Sequence, residues 1–188
     1  LPSVTPDRSG GALIAWQDSR QGGADIYAQR VVANGYLGYP SPDIIGMIDY
    51  PNDQGGYLIS SWVPSYLDAY PHTAVTSYSV WRRYPEWEPM MKDETGASIP
   101  ADMLPTEYLE TILRSGWTYA GSVDASYFGE YGFDVPTYGD STAAGVPYCD
   151  VMAIAQTNTP TLFWPSRPAI GYSVDNLPPG APLNLAGE

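Results

Sequence analysis

The stretch from Pro51 to Tyr84, PNDQGGYLISSWVPSYLDAYPHTAVTSYSVWRRY, restricts the fold more than any other part of the chain. Asn52, Asp53, Gly55 and Gly56 form a turn cluster, because these residues tolerate positive φ or bond their own backbone. Tyr57 to Val63 then runs without a breaker and alternates, which puts Leu58, Ser60 and Trp62 on one face. Pro64 closes the run, since proline cannot donate to a β-ladder. The second run, Ala74 to Arg83, is β-branched and aromatic, with Tyr78 and Val80 on one face and Ser77, Ser79 and Trp81 on the other. Two such strands joined by a polar, proline-bearing connection predict an antiparallel β-sandwich, in an all-β chain.

Composition agrees. Nineteen Gly and nineteen Pro in 188 residues favour turns over long helices, and sixteen Tyr with six Trp suit pleated sheets and contact surfaces. The formal net charge is −13, so phosphate backbones and anionic membrane surfaces repel the chain and no nucleic acid is expected as partner. The charge is uneven: residues 1–45 hold three basic and four acidic side chains, the remainder five and seventeen. No apolar run reaches membrane-spanning length, so no membrane insertion is expected. The lone Cys149 excludes an internal disulfide framework. With Leu1 first and no signal peptide, the sequence reads as a processed product or an excerpt.

A tryptophan near the end of one strand (Trp62), followed by a Tyr-x-Val strand ending in arginines (Tyr78, Val80, Arg82, Arg83), resembles strands B and C of a fibronectin type III domain. The wording PNDQGG…SYSVWRR is also similar to type III-like modules of large bacterial secreted and cell-surface proteins. The resemblance spans 46–188. Ser60 departs from it, because a type III domain carries an apolar residue there. A tyrosine corner would fall near Tyr148, but Tyr148 alternates away from the apolar set that follows it.

Residues 1–45 form a separate unit. ALIAW (Ala12 to Trp16) and IYAQRVV (Ile26 to Val32) are short strands around the glycine-bearing turn DSRQGGAD, and Asn34-Gly35 closes the second, which predicts a β-hairpin. The run GGALIAWQDSRQGGADIYAQRVVANG resembles one copy of a repeat in long bacterial surface proteins whose tandem copies look like propeller blades. One blade cannot bury its own faces, so the hairpin must pack on the sandwich, on another chain or on further repeats. Asp18 and Asp25 bracket the turn glycines. They either help hold a calcium ion with backbone carbonyls or bond local N–H groups, and Arg20 between them counts against the metal.

Farther along, residues 86–116 form an insertion. Within it PTEYLETILRSG predicts a short helix with Thr106 as N-cap, Gly116 as stop, and Tyr108, Leu109, Ile112 and Leu113 on one face, covering a sheet edge or sandwich end. Strands are expected at Trp117 to Val123, near Tyr131 to Val135, at Tyr148 to Ala155 and around Ala169 to Val174. In the third of these Cys149, Val151, Ala153 and Ala155 share a face, making Cys149 a small core hydrophobe. Residues 178–188 are a Pro-rich linker with a strand-like Leu183-Asn184-Leu185, readable either as a donor strand for a neighbour or as a frayed linker.

Catalytic chemistry finds little support. The single His72 lies in a Pro-flanked loop without a nucleophile motif, no Gly-rich phosphate loop opens a helix, and no Cys/His cluster suits zinc. Glu86, Trp87 and Glu88 place two acids beside an aromatic, a pattern more common in exposed loops than in glycosidase sites. The expectation is therefore a non-enzymatic, secreted or cell-surface structural or adhesive module without cofactor or resident metal. It would assemble with copies of itself or adjacent domains through strand pairing at Ile26, Tyr27, Leu183, Asn184 and Leu185. A carbohydrate-binding accessory module, with a glycan as ligand, is the alternative.

Overall fold

The computed structural model describes residues 1–7, 11–19, 22–31, 38–69, 72–84 and 97–177. The chain is mostly β, in antiparallel sheets, with one short helix. Its first sheet has three strands, not two: β1 (Ser3–Pro6), β2 (Ala12–Asp18) and β3 (Asp25–Val31), in the order β1-β2-β3. Four residues with Pro6 among them give too weak a strand signal, and proline is tolerated because β1 is an edge.

The sandwich is built from two further sheets. One has the order β10-β5-β4, from β4 (Asp43–Asp49), β5 (Tyr57–Val63) and β10 (Tyr131–Pro136). The other runs β12-β11-β8-β9, from β8 (Val75–Arg83), β9 (Thr118–Asp124), β11 (Cys149–Thr157) and β12 (Phe163–Pro165), with β13 (Ala169–Gly171) also paired to β11. Two short strands, β6 (Asp68–Ala69) and β7 (His72–Thr73), pair within the β5–β8 connection. The start of β4 at Asp43 means that a division of the chain after residue 45 cuts through a strand.

Alternation along β5 and β8 decides what is buried. Leu58 and Trp62 meet Tyr78, Val80, Val135, Cys149 and Val151 between the two sheets. Trp62 lies 5.7 Å from Tyr78 and stacks on Tyr131 at 6.0 Å. Ser60 is fully buried on that same face, and its hydroxyl makes no hydrogen bond. The first eight residues of β11 are all buried because both faces are covered. Cys149, Val151, Ala153 and Ala155 face the β10-β5-β4 sheet, sharing one face as expected, while Met152 and Ile154 join Trp81 and Tyr119 on the other side.

That other side is where α1 (Thr106–Arg114) packs, through Tyr108, Leu109 and Ile112. The helix therefore covers a sheet face rather than an edge. Two details differ from the sequence expectation. Pro105 takes the N-cap place with no side-chain cap bond, and Thr106 is the first helical residue, since proline's fixed φ suits the entry to a helix. Leu113 is 43% exposed, as it points off the buried stripe. Gly116 stops the helix at φ +82, and Trp117 N–H closes back on the Ile112 carbonyl.

Register places opposite ends of the sandwich unambiguously. Asp43, Val63, Val75, Tyr131 and Thr157 mark one end, and Asp49, Tyr57, Arg83, Pro136, Cys149 and Gly171 the other. The chain enters at the first end, before β4, and residues 172–177 leave at the second.

Candidate functional site

In the three-stranded β1-β2-β3 sheet none of the strand residues is buried. Directly opposed residues share a face, so one face carries the rows Val4–Ile14–Gln29, Trp16–Tyr27 and Asp18–Asp25. Trp16 and Tyr27 stack at 5.9 Å, with planes 19° apart. The opposite face carries Leu13–Arg30, Ala15–Ala28 and Gln17–Ile26. No residue of β1, β2 or β3 is buried, and Ile26 is 75% exposed. Apolar side chains thus lie on both faces, and among the described residues neither face is fully covered.

A short strap ties this sheet to the entry end of the sandwich. Arg30 donates to Asp7 through Nε at 2.7 Å, forms an ion pair at 2.6 Å, and lies over the Tyr39 ring at 4.9 Å. Gly38 N–H donates to the Arg30 carbonyl, and Tyr66 N–H to the Tyr39 carbonyl. A Cβ on Gly38 would stand 3.1 Å from the Tyr66 ring, and Gly38 has φ +122, so only glycine fits that crossing. The ring of Tyr66 in turn meets His72 edge-on at 5.9 Å.

Beneath the strap lies a buried polar cluster. Asp68 accepts the hydroxyls of Tyr78 (3.0 Å) and Tyr131 (2.6 Å) and the Tyr127 N–H (3.2 Å). Those hydroxyls accept from the backbone of Ser65 and Ser126. Burial, together with the Asp68 carboxyl, raises both tyrosines above their ordinary pKa, so they hold their protons as donors. Each partner is satisfied inside the fold, so the cluster serves as a structural pin for the β5–β8 and β9–β10 connections.

The exit end carries a cleft of about 400 Å³, walled by Tyr84, Tyr138, Tyr148, Asp140 and Thr142. The buried Arg82 guanidinium lies 4.5 Å from the Tyr138 ring and donates to the Pro136 carbonyl. The Tyr84 and Tyr138 rings meet at 4.3 Å but cross at 66°, which is not a flat platform for a sugar ring. Asp140 is turned inward, accepting Gly56 N–H and the Ser173 hydroxyl at 2.7 Å each. Burial pushes the Tyr84 hydroxyl and the Cys149 thiol beneath it upward, leaving Cys149 a protonated core residue.

Of the residues singled out in the sequence, Ile26 and Tyr27 fall next to each other on β3, an open sheet edge. Leu183, Asn184, Leu185, Glu86, Trp87 and Glu88 lie outside the described residues. Asp18 and Asp25 oppose each other at the end of the β2–β3 pair. Among the described residues no group of three His, Cys, Asp or Glu gathers for a metal, and no helix is long and apolar enough to cross a membrane. Tyr148 is 44% exposed and edge-on to Tyr172, whereas Tyr78 and Tyr131 are buried and hydrogen-bonded. Neither the Arg30–Tyr39–Tyr66 strap nor the Asp68 cluster has a local signal, since strand pairing and sheet packing, not sequence spacing, bring their members together. No protein-family model, curated protein or solved structure matches the chain.

Proposed function

We propose that this chain is a non-enzymatic structural module of an extracellular or cell-surface assembly, passing load or spacing from one end of a type III-like sandwich to the other. The observation that carries the reading is the placement of its connections. The open β1–β2–β3 sheet sits at the entry end, and residues 172–177 leave at the opposite end, across strands of up to nine residues. At about 3.3 Å per residue that is roughly 30 Å of rigid spacing. A strand order of β10-β5-β4 facing β11-β8-β9 supports the type III-like assignment, because immunoglobulin-like sandwiches set the first, second and fifth strands against the third and sixth.

Electron microscopy of native material, with light scattering across concentration, tests this. Elongated particles or ordered fibres are the expected result. Compact particles that hold a specific oligosaccharide on a glycan array favour the carbohydrate-binding alternative instead, for which the tyrosine-walled exit cleft is the only argument among the described residues.

A further inference from the structure

Sheet edges in this molecule are not equally protected. β1 has four residues and contains Pro6. β4 is broken by a register shift between Ile44 and Gly46, and β9 by one opposite Val80/Trp81. β12 and β13 have three residues each, and β10 contains Gly132 and ends in Pro136. Each of these features blunts an edge against further pairing. β3 has none of them: its seven residues pair with β2 without a shift and include neither proline nor glycine.

The direction of its free groups can be read from one bond. The Arg30 carbonyl accepts from Gly38 N–H and from Gln29 Nε2, neither of them on β2, so Arg30 presents its main-chain groups away from β2. Main-chain groups alternate sides along a strand, so Ile26 and Ala28 also face outward, while Tyr27 and Gln29 face β2. Gly38 closes the edge at Arg30, and among the described residues nothing pairs with the outward groups of Ile26 and Ala28.

We propose that β3 is a self-pairing edge, through which two copies of the chain join antiparallel about a twofold axis at Tyr27. This deepens the structural-module reading and rests on it. In that register Ile26 of each copy opposes Ala28 of the other, making about four main-chain hydrogen bonds. Tyr27 opposes its own copy on the face that carries Trp16, so two Trp16–Tyr27 stacks join into one row of four rings across a six-stranded sheet. Asp25 opposes Gln29, an amide donor, and no like charges are opposed. A register moved by one residue would put side chains of opposite faces together, and one moved by two toward Arg30 would meet the Gly38 cap. Charge favours the same place, because residues 1–45 are close to neutral while the rest of the chain is strongly acidic. A second copy is thus held where repulsion is weakest.

The test uses the full chain. Sedimentation equilibrium should show a concentration-dependent dimer that is lost in Ala28→Pro, where the substituted N–H faces outward and the β2–β3 ladder is kept. Tyr27→Cys should give a disulfide-linked dimer under mild oxidation, since facing residues of a non-hydrogen-bonded pair lie about 4.5 Å apart at Cα. Gln29→Cys should not. Circular dichroism and melting of each variant confirm that it is folded. A chain that stays monomeric at high concentration without cross-linking at position 27 overturns the proposal, as does a dimer that survives Ala28→Pro. A monomer with an elongated scattering profile overturns only this edge and leaves the spacer reading intact, whereas a compact glycan-binding particle overturns the spacer reading itself.

Discussion

The first sheet and the sandwich use the same strand chemistry with opposite outcomes. In the sandwich, β5, β8 and β11 bury one or both faces, and Trp62, Tyr78, Val80 and Val151 lose all exposure. In the first sheet, Trp16, Tyr27, Ile14 and Leu13 are as apolar as those core residues, yet none is buried. A fully buried large apolar side chain gains about 1.5–3 kcal/mol over an exposed one. The sandwich collects that gain within one chain. The first sheet does not collect it from the described residues, and under the proposed function a neighbouring copy would supply it.

The largest expected effect is on the sandwich. Asp68→Ala strands two buried tyrosine hydroxyls and a backbone N–H, and should cost on the order of 4 kcal/mol in chemical denaturation. If it costs less than about 1 kcal/mol, the Asp68 cluster does not pin the entry end. Alkaline pH should act on the same region. The folded-state pKa values of Tyr78, Tyr131 and Tyr84 lie above their ordinary 10.0, and that of Cys149 above 9.0. Their stabilising contribution is full below those ordinary values and is lost as pH rises past them, because the unfolded chain releases its protons first. Melting temperature should therefore fall between about pH 9 and pH 12, and Cys149→Ala should remove the earliest part of the fall.

Smaller changes should fall on the strap. Tyr66→Ala removes the ring against Gly38 and should leave sandwich unfolding within about 1 kcal/mol of the parent. Limited proteolysis should nevertheless cut between residues 31 and 43 several-fold faster. Equal rates in parent and variant would mean that the sheet is held by something other than Gly38, Tyr39 and Tyr66. The smallest effect belongs to Ser60→Ala, which removes a fully buried hydroxyl that makes no hydrogen bond. It should be neutral or stabilising by up to about 1 kcal/mol, measured by denaturant midpoint.

Much of this contrast was legible in the sequence. Period-two alternation named the buried face of β5 and the inward residues of β11, because burial on a sheet follows the pleat directly, whereas β8, whose composition suits a half-buried strand, is buried on both faces. Turn residues and proline set the bounds of β5 to the residue. The β2–β3 hairpin of the first unit was also legible, from two short apolar runs around a glycine-bearing turn. What escaped was everything made by long-range meetings. β1 carries no periodic signal in four residues. Asp68, Tyr78 and Tyr131 meet only after the sheets pack, and nothing around Asp68 marks it as a buried acceptor. The helix was recognised, but its seat on a sheet face depended on Met152 and Ile154, whose outward direction made β11 look ordinary. Thr106 is not the N-cap, because the chain enters the helix from an extended Pro105 that occupies that position without a side-chain cap bond.

Hydrogen exchange followed by mass spectrometry, on the full chain across a range of concentrations, tests most directly whether the first sheet depends on a neighbour. Amides of β8 and β11 should be protected at every concentration, while those of β1 to β3 should exchange quickly when dilute. Protection of Ile26 and Ala28 should then rise with concentration. Protection of β3 equal to that of β8 and unchanged by dilution would contradict that dependence, and would mean that the sheet is complete within a single chain.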